Sequence, residues 1–197
     1  MVVRAREGKR TIAALRWGLV PHWAPDASAA ARHINARSET VAGAPAFRDA
    51  FARRRCLVPA DGFYEWASVS DRVKTPYWIH HARGGLLAFA GVHERWRPQG
   101  GAGEPLHTFA VLTTTPNALV APLHDRMPVV LEPDQWNLWL DPEAPLEAVR
   151  ALLAPAPEGL LAAWPVSTRV NRVRHDDARC VEPAPPESEL LDLFEGR

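Results

Sequence analysis

Apolar positions along the chain fall in short runs of period two, cut by Pro, Gly and Asp-Gly punctuation, which predicts many strands and few helices. Residues 1–16 read as a hairpin: Val2-Val3 and 11–15 are strand-like, and Glu7-Gly8-Lys9 makes the turn. Further strands are expected at 55–58, 76–80, 86–93, 107–115 and 160–166. The one over 86–93 is apolar on both faces in its middle. Phe47, Ala50 and Phe51 recur at helical spacing within 45–54, and Pro starts the segments 116–120, 133–140 and 145–153, so four short helices are expected. Residues 27–32 read as a loop or a single helical turn, 68–74 and 167–171 as polar turns, and 98–105, with Gly100, Gly101 and Gly103, as the loosest internal loop.

Composition narrows the class. A chain of 197 residues with 19 Pro suits one domain of many short elements, not long helices. Two cysteines make no disulfide framework, no apolar run approaches twenty residues, and no leader is visible, so a reduced, cytoplasmic protein outside any membrane is expected. The 23 basic and 23 acidic residues balance, but not evenly: residues 1–60 hold eleven Lys/Arg against four acids, while 182–197 hold five acids and one Arg. Such asymmetry fits a one-sided footprint for a polyanion and fits a plain solvated surface equally.

Candidate chemistry begins at Val58-Pro-Ala-Asp61-Gly62-Phe63-Tyr64-Glu65-Trp66. Asp61-Gly62 suits a backbone reversal through positive φ, and the aromatics flanking Glu65 predict a desolvated carboxyl with a raised pKa, fit for proton transfer. The same alternation also allows an edge-strand Glu65 facing water. Asn35 and Arg37, two apart on an extended segment, share a face and together could hold a phosphate and orient a second polar group; ordinary surface residues are the other reading. His124 falls on the turn after 116–120, beside Asp125 and Arg126. Trp17 and Trp23 bracket a Gly/Pro bend that leaves the sheet; either core packing or base stacking suits them, with Trp17 expected in the core and Trp23 exposed. Cys56 reads as a buried small hydrophobe. No metal-ligand spacing, phosphate-binding glycine loop or serine elbow is visible, so no cofactor is expected.

Trp17-Gly-Leu-Val-Pro-His-Trp23, Asn35-Ala-Arg37-Ser-Glu-Thr40, Arg55-Cys-Leu-Val-Pro-Ala-Asp-Gly-Phe-Tyr-Glu-Trp66 and Leu123-His-Asp-Arg-Met-Pro128 together resemble the SOS response-associated peptidase (SRAP) family, over about 2–183. The resemblance implies an α+β domain with a curved, pseudo-barrel, mainly antiparallel sheet and short peripheral helices, spanning 1–183 and followed by an acidic tail at 184–197. It implies a monomer that meets single-stranded DNA at abasic sites during DNA repair. By the same resemblance Glu65 is the proton shuttle, His124 assists imine formation and resolution, and Asn35 positions the N-terminal residue. Arg37 contacts phosphate, Trp23 stands beside the lesion, and Thr113 forms a polar wall. In the family an N-terminal cysteine, freed by autoproteolysis of the initiator Met, closes a thiazolidine on the abasic sugar. Here Val2 follows Met1. The family's opening segment is therefore expected to be missing, through a displaced start or truncation, or in a pseudoenzyme that only binds the strand. Its peptidase, lyase and crosslinking activities are then not expected of the chain as it stands. A conventional hydrolase using Glu65 and His124 is a third reading.

Overall fold

The computed structural model describes residues 1–6, 8–68, 74–98 and 103–184. In chain order its elements are β1 (Val2–Arg6), β2 (Lys9–Ala13), β3 (Arg16–Trp17), β4 (Asn35–Arg37), α1 (Arg48–Arg53), β5 (Arg55–Ala60) and β6 (Gly62–Ser68). There follow β7 (Lys74–His81), β8 (Leu87–Trp96), β9 (Leu106–Thr114), β10 (Met127–Pro128), α2 (Trp136–Leu140), α3 (Leu146–Ala151) and β11 (Leu161–Pro165). One sheet runs β10-β9-β8-β5-β1-β2, with β3 and β4 added parallel to β9; a second runs β11-β7-β6. The result is a mixed α+β domain whose sheet curls into a half-barrel with a few short helices outside it.

The two faces of the main sheet have different partners, as its doubly apolar central strands require. Leu57, Ala90, Val92, Ala110 and Leu112 pack on Phe51, Trp139, Leu140 and Val149 of the helices. The opposite face carries Val2, Cys56, Phe89, Phe109 and Val111, which meet Ile79 and Leu161 of the second sheet. Arg55 is buried on the helical side, and its guanidinium donates to the carbonyls of Phe51, Ala52, Trp139 and Asp141. These are chain-end carbonyls of α1 and α2 that no helical N–H reaches, so one cation seals two helix ends onto the strand.

The corner between the sheets is the motif at Asp61-Gly62. The chain leaves the main sheet at Ala60 and enters the second sheet at Gly62, with one residue between. Gly62 is not among the positive-φ glycines, so the reason for glycine differs from the expected one. A Cβ there would stand 2.5 Å from Trp78 Cζ2, and closer still to the Ile79 carbonyl oxygen. Close approach of β6 to β7 demands the missing side chain.

A second feature opens the structure where the site lies. Val129 donates its N–H to Leu112 O at 2.9 Å and accepts from Ala90 N at 2.8 Å, and Leu131 N donates to Ala88 O. The segment 127–131 is thus wedged between β8 and β9, whose direct pairing ends at Gly91↔Val111.

The expected strands all form, within a few residues at their ends. Residues 116–120 do not become a helix. Asn117 closes turns instead, its side chain accepting from Val120 N and donating to Ala156 O, a local competition with helix typical of Asn. The polar turn at 167–171 contains a 3₁₀ helix, Thr168–Asn171. The polar turn at 69–73, the loop at 99–102 and the acidic tail from 185 onward lie outside the described residues. Gly62→Ala is expected to destabilise the fold by about 2 kcal/mol through overpacking, read from denaturant unfolding; an unchanged midpoint contradicts the close-approach account.

Candidate active-site cleft

Between the two sheets opens a cavity of about 480 Å³. Its floor is apolar, from Val58, Phe89, Phe109, Val111 and Phe63, with Phe63 and Phe89 edge-to-face at 5.9 Å. Asn35, Thr113, Glu65 and His124 line the same cavity, so four of the six residues expected at a site meet, though they are scattered over ninety positions.

Strand register explains each placement. Asn35 pairs with Val111 and Arg37 with Thr113, so both side chains share the cavity face of β9 while Ala36 turns to the helical core. Arg37 is exposed and not among the cavity-lining residues, and Trp23, 54% exposed on the loop after β3, is not among them either. Trp17 reverses the expectation of a core residue: it is 55% exposed, pairs beside Phe109, stacks on that ring at 6.3 Å, and donates Nε1–H to Ile34 O.

Glu65 comes from β6, opposite Tyr77. Its neighbours Tyr64 and Trp66 point to the other face of that strand, where Tyr64 packs on Trp78 and donates to Cys180 O, and Trp66 Nε1–H reaches Asn171. The desolvating surroundings are the cavity between the sheets, which Phe63, Tyr64 and Trp66 also border. Burial does raise its carboxyl pKa, opposed by nearby His124 and aided by Asp125. The edge-strand alternative, with the carboxyl in open water, does not hold.

His124 Nδ1 lies 3.9 Å from Glu65 Oε1 and 3.3 Å from Asp125 Oδ1. The same nitrogen is 3.0 Å from Arg126 N and 3.1 Å from Arg126 O. With a lone pair at Nδ1 the ring accepts from the Arg126 N–H; with a proton there it donates to the Arg126 carbonyl and faces two carboxylates. A ring so placed can hold or release a proton at one nitrogen without turning.

Sequence reasoning missed the clamp that fixes this ring. Arg126 donates Nη1–H and Nη2–H to the two oxygens of Glu39, at 2.6 and 2.8 Å, and Nη2–H also to Thr113 O at 2.6 Å. This bidentate pair ties the His124 turn to the chain just after β4 and holds the Glu39 carboxyl down to about 2. The partners stand far apart in sequence, and no local signal marks them. Among the described residues no group of three His, Cys, Asp or Glu could hold a metal ion, and no helix is long and apolar enough to cross a membrane.

A profile of the family described as SOS response associated peptidase (SRAP) matches residues 1–173. The chain belongs to the SRAP family. It is 39% identical over 169 residues to abasic site processing protein YoaM of Bacillus subtilis, covering 85% of this chain and 74% of that one. It is 33% identical to abasic site processing protein HMCES of Gallus gallus, covering 91% of this chain and 59% of the other. Among solved structures, a protein from Bacteroides thetaiotaomicron superposes with a TM-score of 0.83 at 26% identity, over 93% of this chain and 81% of its own. The SRAP fold is therefore shared, and the cleft is its candidate site.

Glu65 in the cleft and Glu39 in the clamp outside it titrate with opposite consequences for stability. Glu65, raised when folded, disfavours folding once ionised, so Glu65→Gln is expected to raise the Tm at pH 7.5 and to lose that gain near pH 4; an equal effect at both pH values would count against the desolvated carboxyl. Glu39, lowered from 4.5 to about 2, contributes stability above about pH 4.5 that fades as the pH falls toward 2. Stepped thermal unfolding should therefore show a shallower acid decline in Glu39→Gln than in the parent chain, and parallel curves would refute the clamp's role.

Proposed function

We propose that this SRAP chain holds single-stranded DNA with the baseless sugar of an abasic site in the cleft between its sheets. The observation that carries the reading is the meeting of Glu65 and His124, 3.9 Å apart, with Asn35 and Thr113 over an apolar floor. A carboxyl whose pKa burial raises, beside an imidazole, can give a proton to the ring oxygen of the sugar while the proton of its anomeric hydroxyl is taken up, the exchange that opening a hemiacetal requires. Asn35 orients the polar group that enters, Thr113 walls the pocket, and Arg37 at the rim takes a backbone phosphate. Trp23 offers an exposed ring to a base next to the lesion, and Trp17 a second, at the cavity itself. The names of YoaM and HMCES agree with this substrate.

The covalent step of the family needs an amine and a thiol on one residue. Both cysteines of the chain, Cys56 and Cys180, are buried within the fold, and burial pushes the Cys56 thiol far up, so neither can serve. What residues 1–197 supply in this reading is retention of the lesion and proton transfer at its sugar.

Incubation with an oligonucleotide bearing one abasic site is expected to give salt-sensitive binding and no denaturant-resistant band. Arg37→Ala is expected to weaken that binding severalfold and flatten its salt dependence by about 0.7 in the log–log slope, with an unchanged Tm. A denaturant-resistant band from this chain overturns the requirement for the thiol, and an unchanged slope overturns the phosphate role of Arg37.

A further inference from the structure

The same face of the main sheet carries a second hollow, of about 400 Å³, lined by Arg4, Ala5, Arg6, His93, Arg95 and His107. Register places it in line with the cleft. Arg4 pairs with Cys56, Cys56 with Gly91 and Gly91 with Val111, while His93 pairs with Phe109 and Arg95 with His107. Paired residues share a face, so Arg4, His93, Arg95 and His107 lie on the side that carries Phe109 and Val111 of the cleft floor. At about 3.3 Å per residue, His107 sits some 13 Å along β9 from Val111.

Arg4 and Arg95 bring positive charge to the hollow, and its lining residues include no acid among the described residues. The nearest acid on β8, Glu94, faces the other way and is already held by Arg54 Nη2 at 2.7 Å. Arg4 Nε and His107 Nδ1 are buried without a hydrogen-bond partner. Orphaned donors cost stability unless something occupies the site, and here everything lining it favours an anion. Burial, with Arg4 and Arg54 close by, holds the His93 imidazole down to about 4, and burial with Arg4 and Arg95 lowers His107. Each ring can present an N–H, and the guanidinium groups of Arg4 and Arg95 supply the charge.

We propose that this hollow is a phosphate subsite, taking a backbone phosphate of the strand a few nucleotides beyond the one seated in the cleft. The inference rests on the reading of the cleft as a site for single-stranded DNA. Phosphate is the recognised chemistry, and a free phosphate ion could present the same oxygens; the test separates the two.

Binding of fluorescein-labelled dT3 and dT12 to the full chain is compared for the parent, Arg95→Gln and Arg4→Gln, with the His107 ring proton followed by NMR during titration with inorganic phosphate. Each substitution is expected to weaken dT12 at least fivefold more than dT3 and to lower the dT12 salt slope by about 0.7. Arg95→Lys should restore part of the slope, which a purely structural role would not. If the parent binds dT12 and the substitutions change neither affinity nor slope, the subsite is overturned and the cleft reading stands. If the parent does not bind dT12 at all, the cleft reading fails. The ring signal then decides the hollow: a phosphate-induced shift lost in Arg95→Gln supports a small-anion site, and no shift overturns it.

Discussion

One strand that changes sheets governs this molecule. Between Ala60 and Gly62 the chain turns out of one ladder and into another, and close contact with β7 at Gly62 sets how tightly it does so. The inner faces of the two sheets are thereby brought opposite each other, with Glu65 on one and Asn35, Thr113 and Phe109 on the other. The carboxyl is desolvated by this opposition of the sheets, with Phe63 of its own strand in the cavity floor. The proton chemistry assigned to the cleft follows from a packing requirement at a residue with no side chain.

The central strands were legible because both faces of β8 and β9 are apolar, which leaves near-continuous apolar runs that need no tertiary knowledge to see. Of the residues named from the sequence, Asn35, Thr113, Glu65 and His124 line one cavity; Asn35 and Arg37 were read from simple alternation on β4, and Thr113 came only from the family resemblance. Burial of Glu65 is present, although Tyr64 and Trp66 send their polar ends to Cys180 and Asn171. Trp17 was misjudged because its exposure depends on a two-residue parallel pairing with β9, ninety positions later. The Arg126–Glu39 clamp and the four-carbonyl seat of Arg55 were invisible for the same reason.

Charge tells a similar story at larger scale. The chain is neutral overall, yet Arg4, Arg37 and Arg95 all lie on the concave face, whereas Arg55 is consumed inside and Arg54 is paired with Glu94. A count over the first sixty residues cannot separate these fates, because strand register decides which guanidinium meets solvent, a carboxylate or a carbonyl. The basic bias of that segment is thus partly architectural and partly available to a ligand.

The wedge of 127–131 between β8 and β9 has a consequence for how the cleft meets its ligand. Backbone hydrogen bonds to both neighbours secure one end of the His124 turn, and the Glu39 clamp and Asn117 secure the rest. The conformational freedom of that turn is lost when the chain folds, so little is left to lose on association. A ligand of the proposed site would meet a turn already ordered, and any adaptation would fall to the ligand.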